Sequence, residues 1–573
     1  MGDSQKRWVF VEADPIVERR LMDELDVGPI TARILAGRGL VEPAEVKRFF
    51  APRLAELIDP DNMLGAPEAA RRIADAIERG ETVAVYGDYD ADGVTSTALI
   101  VDFFRHLRHP IIPYIPDRFD QGYGLTAEPV VKLAERGAKL LITVDCGVND
   151  YDAVAAANAA GMDVIITDHH ELAGERPPAL AILNPHQPEC GFHGEPLAGV
   201  GVAFFLVGAV RKELTRRKLP QAEAYDLKSA LDLVALGTVA DIVPLVGLNR
   251  ILVHHGLPLI NQEKRPGLAA LKQVANVKNP VRCGDIGFRL APRINAAGRL
   301  GDASIGMDLL LTCDMGEAQR IAKQLAEENM RRQMIESGIF NQAQEMFEKI
   351  ARKERLLTIV LAHPEWHPGV IGIVASKMVD KFHRPTILFA AGEGASRGSG
   401  RSIAAFNIFE ALQACEGILE TFGGHAQAAG VQVKNERLVE FAKAFDAYAR
   451  TVLKPEDMVP LQRIDTLCEI DEIGDRLVRE LSSLAPFGFG NSEPVLGTRD
   501  VRVLSKRIVG NDHLKLRVAW RSTAMPVIAY GRAAQYERIG SRIDLAYSPE
   551  FNNFGGVQHI QLRVKDLVIP DAE

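Results

Sequence analysis

In VYGDYDADGVTSTALI (residues 85–100), an apolar run, Thr82–Tyr86, stops at Gly87. Aspartates follow at alternate positions 88, 90 and 92, and Gly93 opens a helix-like segment from Val94 through Phe104. Three carboxylates at the end of a buried strand repel one another and need a reason. DxDxDG matches the opening of an EF-hand loop, but that loop needs a Glu at position twelve and a helix before it. Position twelve is Leu99, and a strand-like run comes first. The stretch holds neither a GxxxxGK[ST] nor a GxGxxG phosphate loop, and bare carboxylates repel phosphate unless cations intervene. Helix capping accounts for one aspartate but not for three.

The pattern recurs downstream. KLLITVDCG (139–147) ends on Asp145 before the helical DYDAVAAANAAG (150–161), and DVIITDHH (163–170) ends on Asp168, His169 and His170. LDLVALGTVAD (231–241) ends on Asp241, and its apolar residues suit either a strand or a helix. The first three segments alternate with helices at βαβ spacing. The expected fold is therefore α/β with a doubly wound, mostly parallel sheet. In such sheets the strand C-termini gather at one edge, where ligands bind. Asp88, Asp90, Asp145, His169 and Asp241 can converge there although they lie far apart in sequence. Any one of these acids alone reads as a solvated loop residue or a cap, but several at equivalent positions reverse that reading. Their mutual repulsion is relieved by cations. Mixed carboxylate and imidazole donors suit Mn²⁺, with Mg²⁺ as second choice and Zn²⁺ disfavoured without cysteine. The ligands suffice for two divalent cations, which would activate water against a phosphorus centre.

Bulk properties agree with a soluble multidomain protein. The chain has 573 residues, 47% hydrophobic and 25% charged. No apolar run reaches the length a membrane helix needs, roughly 18–20 residues. The N-terminus carries acids and lacks a signal-peptide core. Six scattered cysteines without a CxxC pair read as thiols in a reducing compartment. A cytoplasmic, monomeric protein with no membrane partner is expected. Net charge is −9, yet residues 501–573 hold 11 Lys+Arg against 7 Asp+Glu, so a basic tail follows an acidic body.

Residues 314–355 are poor in glycine, with Ile321, Leu325, Ile335, Ile339, Ala343, Met346 and Ile350 near helical spacing. One long connecting helix is expected, then a second α/β domain over 356–455. Within 456–573, five short alternating segments (VRVLSKRIV, HLKLRVAW, MPVIAYG, RIDLAYSPEF and HIQLRVKDLVI) suggest a small β-barrel of the OB kind. Residues 1–313 form the first domain with an N-terminal extension. In the tail, Lys506, Arg507, Lys515, Arg517 and Arg521 interleave with Trp520, Tyr530, Tyr547, Phe551 and Phe554. That mixture suits sequence-tolerant single-strand binding, with at least half of the aromatics expected in the core.

GDYDADG, VDCG, TDHH and TVADIVPL resemble the successive motifs of the DHH phosphoesterase superfamily. PDRFDQGYGL (116–125), RINAAGRLGDA (293–303), GSGRSI (398–403), FGGHAQAAG (422–430) and PFGFGNSEP (486–494) are similar to those of its RecJ group of single-strand-specific exonucleases. The resemblance runs from about residue 50 to the end, and the ordered set is highly specific. It implies Asp88, Asp90, His169 and Asp241 as metal ligands and Asp145 as the bridging ligand. It implies His170 as the catalytic group facing the substrate phosphate, with Asp92 supporting the catalytic set behind the ligands.

The second domain resembles DHHA1, whose loops offer Arg397, Ser399, Arg401, Ser402, Gly424 and His425 to a phosphodiester. Arg118, Tyr123, Arg293 and Arg299 are further substrate-binding candidates, although a structural ion pair is a close competitor for the last two. The implied activity is 5′-to-3′ degradation of single-stranded DNA to mononucleotides in recombination and repair. Single-strand-binding protein and a helicase are the implied partners, and a cleft between two domains would admit one strand and exclude a duplex. The competing functions are a phosphodiesterase of short oligonucleotides or cyclic dinucleotides, which lacks the barrel, and a non-catalytic DNA-binding replication scaffold that has lost its ligands.

Overall fold

A computed structural model describes residues 6–117, 122, 124–554 and 557–569. Arg118 and Tyr123 lie outside the described residues. The chain divides into two compact units: Ala51–Arg331 with Ala485–Ser492, and Met1–Phe50 with Arg332–Leu484 and Glu493–Glu573.

The first unit is built on a five-stranded, all-parallel sheet. Its order is Ile111–Tyr114, Thr82–Gly87, Ala138–Val144, Asp163–Thr167, Ala181–Leu183. These strands are near-continuous apolar runs because helices cover the sheet. The chain leaves Thr82–Gly87 towards one edge and returns on its other side as Ala138–Val144. The topological switch point therefore falls between these two strands, and Asp88 and Asp145 follow their C-terminal ends. This is the expected doubly wound sheet.

The fourth acid-bearing segment is a helix, Leu231–Ala240, and Asp241 caps its C-terminus. Asp241 is thus not equivalent in position to the strand-end acids. Residues Leu231 to Thr238 are all buried. A helix surrounded by core shows no amphipathic period, which is why its sequence fits either element.

In the second unit, a mixed five-stranded sheet runs Thr421–His425, Ala428–Lys434, Ala395–Arg401, Thr386–Ala391, Ile359–His363. Only the last two strands are parallel to each other. Five strands then close a barrel. Leu496–Val509 pairs with both His513–Trp520 and Arg542–Phe554, and Thr523–Ala529 and Val557–Val568 complete the ring. All five correspond to the alternating segments of the sequence. The N-terminal strand Arg7–Phe10 pairs in parallel with Leu461–Ile464 just before the barrel. The expected connecting helix spans Met315–Ala351. Among the described residues, no helix is long and apolar enough to cross a membrane.

Candidate metal centre

The aspartates at 88, 90 and 92 take three different parts. Asp90 caps the helix Ala91–His106, its Oδ1 accepting from the amides of Asp92 (2.8 Å) and Gly93 (3.1 Å). A Cβ on Gly93 would lie 2.4 Å from the Asp88 carbonyl oxygen, so only glycine lets the helix start this close to the strand end. Asp92 is buried, and both of its carboxylate oxygens are engaged by backbone amides. Its Oδ2 accepts from Gly199 N–H (2.7 Å) and its Oδ1 from Val200 N–H (3.0 Å), the first turn of the helix Gly199–Arg216. That helix is held so close that a Cβ on Gly199 would sit 2.5 Å from Asp145 Oδ1.

Asp145 adopts a left-handed conformation (φ 64°), and its N–H donates to the Thr167 carbonyl at 2.9 Å. Asp tolerates this region better than most residues. His169 Nε2 lies 3.0 Å from Asp145 Oδ1 and 3.6 Å from Asp241 Oδ2. Among the described residues, none of these three buried atoms has a hydrogen-bond partner. Donor atoms of Asp88, Asp90 and Asp145 lie within 4.8 Å of one another, as do those of Asp145, His169 and His170, and those of Asp92, His169 and Asp241.

Electrostatics make the cluster unfavourable without cations. Burial, then the charges of Asp92, Asp90, Asp241 and Asp88, push the Asp145 carboxyl well above the usual range. Burial, then Asp92, Asp90 and Asp88, push Asp241 up to about 9. Burial and the neighbouring His170 hold His169 down at about 4, so its imidazole is neutral, as a metal ligand requires. Buried, unpartnered oxygen and nitrogen atoms aimed at one another fit a pair of divalent cations bound by hard and borderline donors.

His170 is held differently. Its Nδ1 and Asp168 Oδ1 are 2.7 Å apart, and the same oxygen accepts from the amides of His169 (2.7 Å) and His170 (3.1 Å). Asp168 Oδ2 accepts from Val148 N–H at 3.0 Å, tying this loop to the one that carries Asp145. Burial pulls the His170 imidazole down, but the hydrogen bond and charge of Asp168 outweigh it and raise the pKa above its ordinary value.

Several supporting residues were not singled out from the sequence. Asn184 donates from Nδ2 to the His170 carbonyl (2.9 Å), and Asn295 Oδ1 accepts from Ala91 N–H (2.7 Å). Asn295 lies on the helix Ala291–Leu300, together with Gly298, which packs against the Tyr89 carbonyl. The same helix carries Arg293 and Arg299, and the Arg293 guanidinium donates to the Arg289 carbonyl one turn back. No carboxylate pairs with Arg293 among the described residues, which argues against a structural ion pair there.

In the second unit, Arg397, Ser399 and Arg401 alternate along one strand and share a face. Arg401 Nη1 donates to Ser399 Oγ at 3.2 Å. Gly430 lies opposite Ser399, and Gly423 lies opposite Gly430. A Cβ at either glycine would meet nothing within 4 Å, so this face is an open backbone floor beside the row of Arg397, Ser399 and Arg401. Gly423 and Gly424 belong to a paired strand, and at Gly424 (φ 139°) a Cβ would strike Ala428 O at 2.4 Å. His425 ends that strand, exposed. Ser402 is turned inward, its Oγ donating to the Phe406 carbonyl.

On the barrel, Lys506 donates to two backbone carbonyls, and Arg521 pairs with Glu469 and Asp471. Arg507 and Lys515 face each other across adjacent strands near Arg517. Tyr530 is exposed against His513, while Tyr547 is buried.

A parallel sheet with acid and imidazole side chains gathered at its switch point, beside an Asp–His pair, is the arrangement of a phosphoesterase of the DHH class. Residues 82–238 match the DHH family N-terminal domain, 354–451 the DHHA1 domain and 464–566 the RecJ OB domain. The chain is 36% identical to the single-stranded-DNA-specific exonuclease RecJ of Bacillus subtilis (strain 168), over 99% of this chain and 71% of that one. Its fold resembles that of RecJ from Thermus thermophilus in complex with Mn²⁺. The TM-score is 0.83 at 32% identity, covering 99% of this chain and 80% of that one. For the Mg²⁺ complex from the same organism the TM-score is 0.79 at 30% identity, covering 99% and 79%. The chain belongs to the RecJ family of exonucleases.

Proposed function

We propose that this chain degrades single-stranded DNA from the 5′ end to mononucleotides by hydrolysis that depends on two divalent cations, Mn²⁺ before Mg²⁺. The observation that carries this reading is the convergence of Asp145 Oδ1, His169 Nε2 and Asp241 Oδ2, buried and, among the described residues, without hydrogen-bond partners.

Asp88, Asp90, Asp145, His169 and Asp241 hold the cations, which when bound supply an activated water and neutralise the phosphodiester. Asp168 fixes the orientation of the His170 ring through Nδ1, and the ring faces the substrate phosphate. A pKa held above the ordinary value keeps His170 able to give its proton to the leaving oxygen. Asp92 acts at one remove by anchoring the helix that abuts Asp145. Arg293 and Arg299 take backbone phosphates, as do Arg397, Ser399 and Arg401 across the glycine floor. Gly424 and His425 complete that second surface, Ser402 supports it from within by its bond to the Phe406 carbonyl, and Arg118 and Tyr123 are further candidates to bind the strand. Arg507, Lys515 and Arg517 on the barrel grip a longer polymer, which favours DNA over a dinucleotide as substrate.

The family relationship supports a role in recombination and repair, with single-strand-binding protein and a helicase as partners. A cytoplasmic setting accords with the free cysteines.

The test uses the full chain, Mn²⁺ and single-stranded DNA labelled at either end, with a blunt duplex of the same sequence alongside. Early mononucleotide release from the 5′ label alone, with the duplex spared, is expected. Equal rates on duplex, or uncut polymer with rapid dinucleotide hydrolysis, would overturn the reading.

A further inference from the structure

The residue after Asp241 is Ile242, and it has a backbone that a β-branched side chain seldom adopts, φ 63°. Its side chain is 69% exposed, so no packing in the core offsets that conformation. Strain of this kind persists where the surroundings over-determine it, and it gathers at functional sites.

A second exposed apolar side chain is brought to the same short segment from far along the chain. Phe489 is 61% exposed. Its carbonyl accepts from Leu245 N–H at 2.8 Å, three residues beyond Ile242. The loop that carries Phe489 is closed on itself. Gly488 N–H donates to Asn491 O (2.9 Å), Asn491 N–H returns to Gly488 O (3.2 Å), and Asn491 Nδ2 donates to Pro486 O (2.8 Å). Both flanking glycines are needed for its seat. A Cβ on Gly488 would meet Leu245 at 2.7 Å, and one on Gly490 (φ 72°) would meet Pro244 at 2.8 Å. The loop is thus pressed onto residues 244–245 by glycine backbone, and the Phe489 side chain is left in solvent.

We propose that Ile242 and Phe489 form an apolar platform that takes the face of an unpaired nucleobase beside the phosphodiester being cut. The inference rests on the nuclease reading above. The platform is continuous with a metal ligand, since Ile242 is bonded directly to Asp241. A nucleotide whose phosphate is held there offers one apolar surface, the face of its base. In a duplex that face is covered by stacking and the base edge is paired, so the platform favours a single strand. Stacking on an aromatic ring tolerates any base, as an exonuclease requires.

The test compares strands that carry a normal nucleotide or a tetrahydrofuran abasic residue at each of the first few 5′ positions. The quantity read is the ratio of kcat/KM for normal over abasic DNA, with Mn²⁺ and the full chain. Wild-type cleavage of the normal strand tests the underlying reading, and the ratio tests the platform. For wild type, the ratio at one position should be about 5- to 150-fold, the range that loss of one stacked base gives. In Phe489→Ala it should collapse towards one, and in Phe489→Trp it should be retained. Ile242→Gly should lower the ratio while raising Tm, because glycine adopts the left-handed backbone without strain. That pair of opposite shifts is not expected of a structural defect, and it decides the matter if Phe489→Ala folds poorly. A ratio unchanged in both variants would overturn the proposal, as would a loss shared equally by normal and abasic strands.

Discussion

Asp168 Oδ1 and His170 Nδ1 are 2.7 Å apart, and the same oxygen also accepts two backbone amides of the motif. The carboxylate therefore sets both the ring orientation of His170 and the shape of the loop that presents His169.

Asp168→Asn should keep much of the loop geometry and lose the charge. The His170 pKa, raised by that charge, should fall. If protonated His170 is the acid, activity is lost as pH rises through its pKa, so the alkaline limb of the kcat profile should move to lower pH. At neutral pH, kcat should drop by about 10²-fold, the lower end for a general acid. An unshifted limb in the pH–rate profile would remove His170 from this role.

The acid cluster ties stability to pH and to metal. Asp92 is pushed to about 7 by burial and then by Asp90, and Asp241 to about 9 by burial and then by Asp92. A carboxyl whose folded pKa is raised keeps its proton after the unfolded chain has lost it. Metal-free stability should accordingly be greatest near the unfolded carboxylate range, about pH 4, as far as these groups decide it. It should decline as pH rises towards 7–9 and then level off. Cations replace those protons, so the gain in Tm on adding Mn²⁺ should be larger at pH 8 than at pH 6. Thermal unfolding with and without Mn²⁺ at both values checks this, and a larger gain at pH 6 would contradict it.

Gly199→Ala should separate folding from metal binding. Alanine favours a helix over glycine, yet its Cβ would lie 2.5 Å from Asp145 Oδ1. The carboxylate must move, and Mn²⁺ affinity should fall by about 10- to 100-fold, as for loss of a residue supporting a ligand. Titration calorimetry with Mn²⁺ reads this directly, with circular dichroism confirming the fold.

Gly430→Val probes the open floor. A Cβ there meets nothing within 4 Å, and valine suits a strand, so Tm should hold or rise slightly. The branched side chain would stand beside Ser399, and KM for single-stranded DNA should rise while Mn²⁺ binding is unchanged. An unaltered KM would remove this face from substrate binding.

Much of this was legible in the sequence because each strand-end acid sits at a local change of period, where an apolar run stops and a helix begins. Asp88, Asp145 and Asp168 could be placed that way. Asp241 was found as an acid after an apolar segment, but its helix was hidden by burial on all sides. The supporting contacts were not legible. Gly199 meets Asp92 across 107 residues, and Asn295 meets Ala91 across 204. Nothing near either residue marks the pairing. The barrel showed itself through strict alternation, whereas the withdrawal of Lys506 and Arg521 into contacts within the chain depends on tertiary packing.

The most direct measurement is mononucleotide release from 5′-labelled single-stranded DNA in Mn²⁺, comparing the wild type with Asp145→Ala. Asp145 stands among the proposed ligands, 3.0 Å from His169. The variant should lose activity by about 10³-fold or more, several kcal/mol of transition-state stabilisation, while remaining folded. Release at close to the wild-type rate would contradict a metal centre built on this residue.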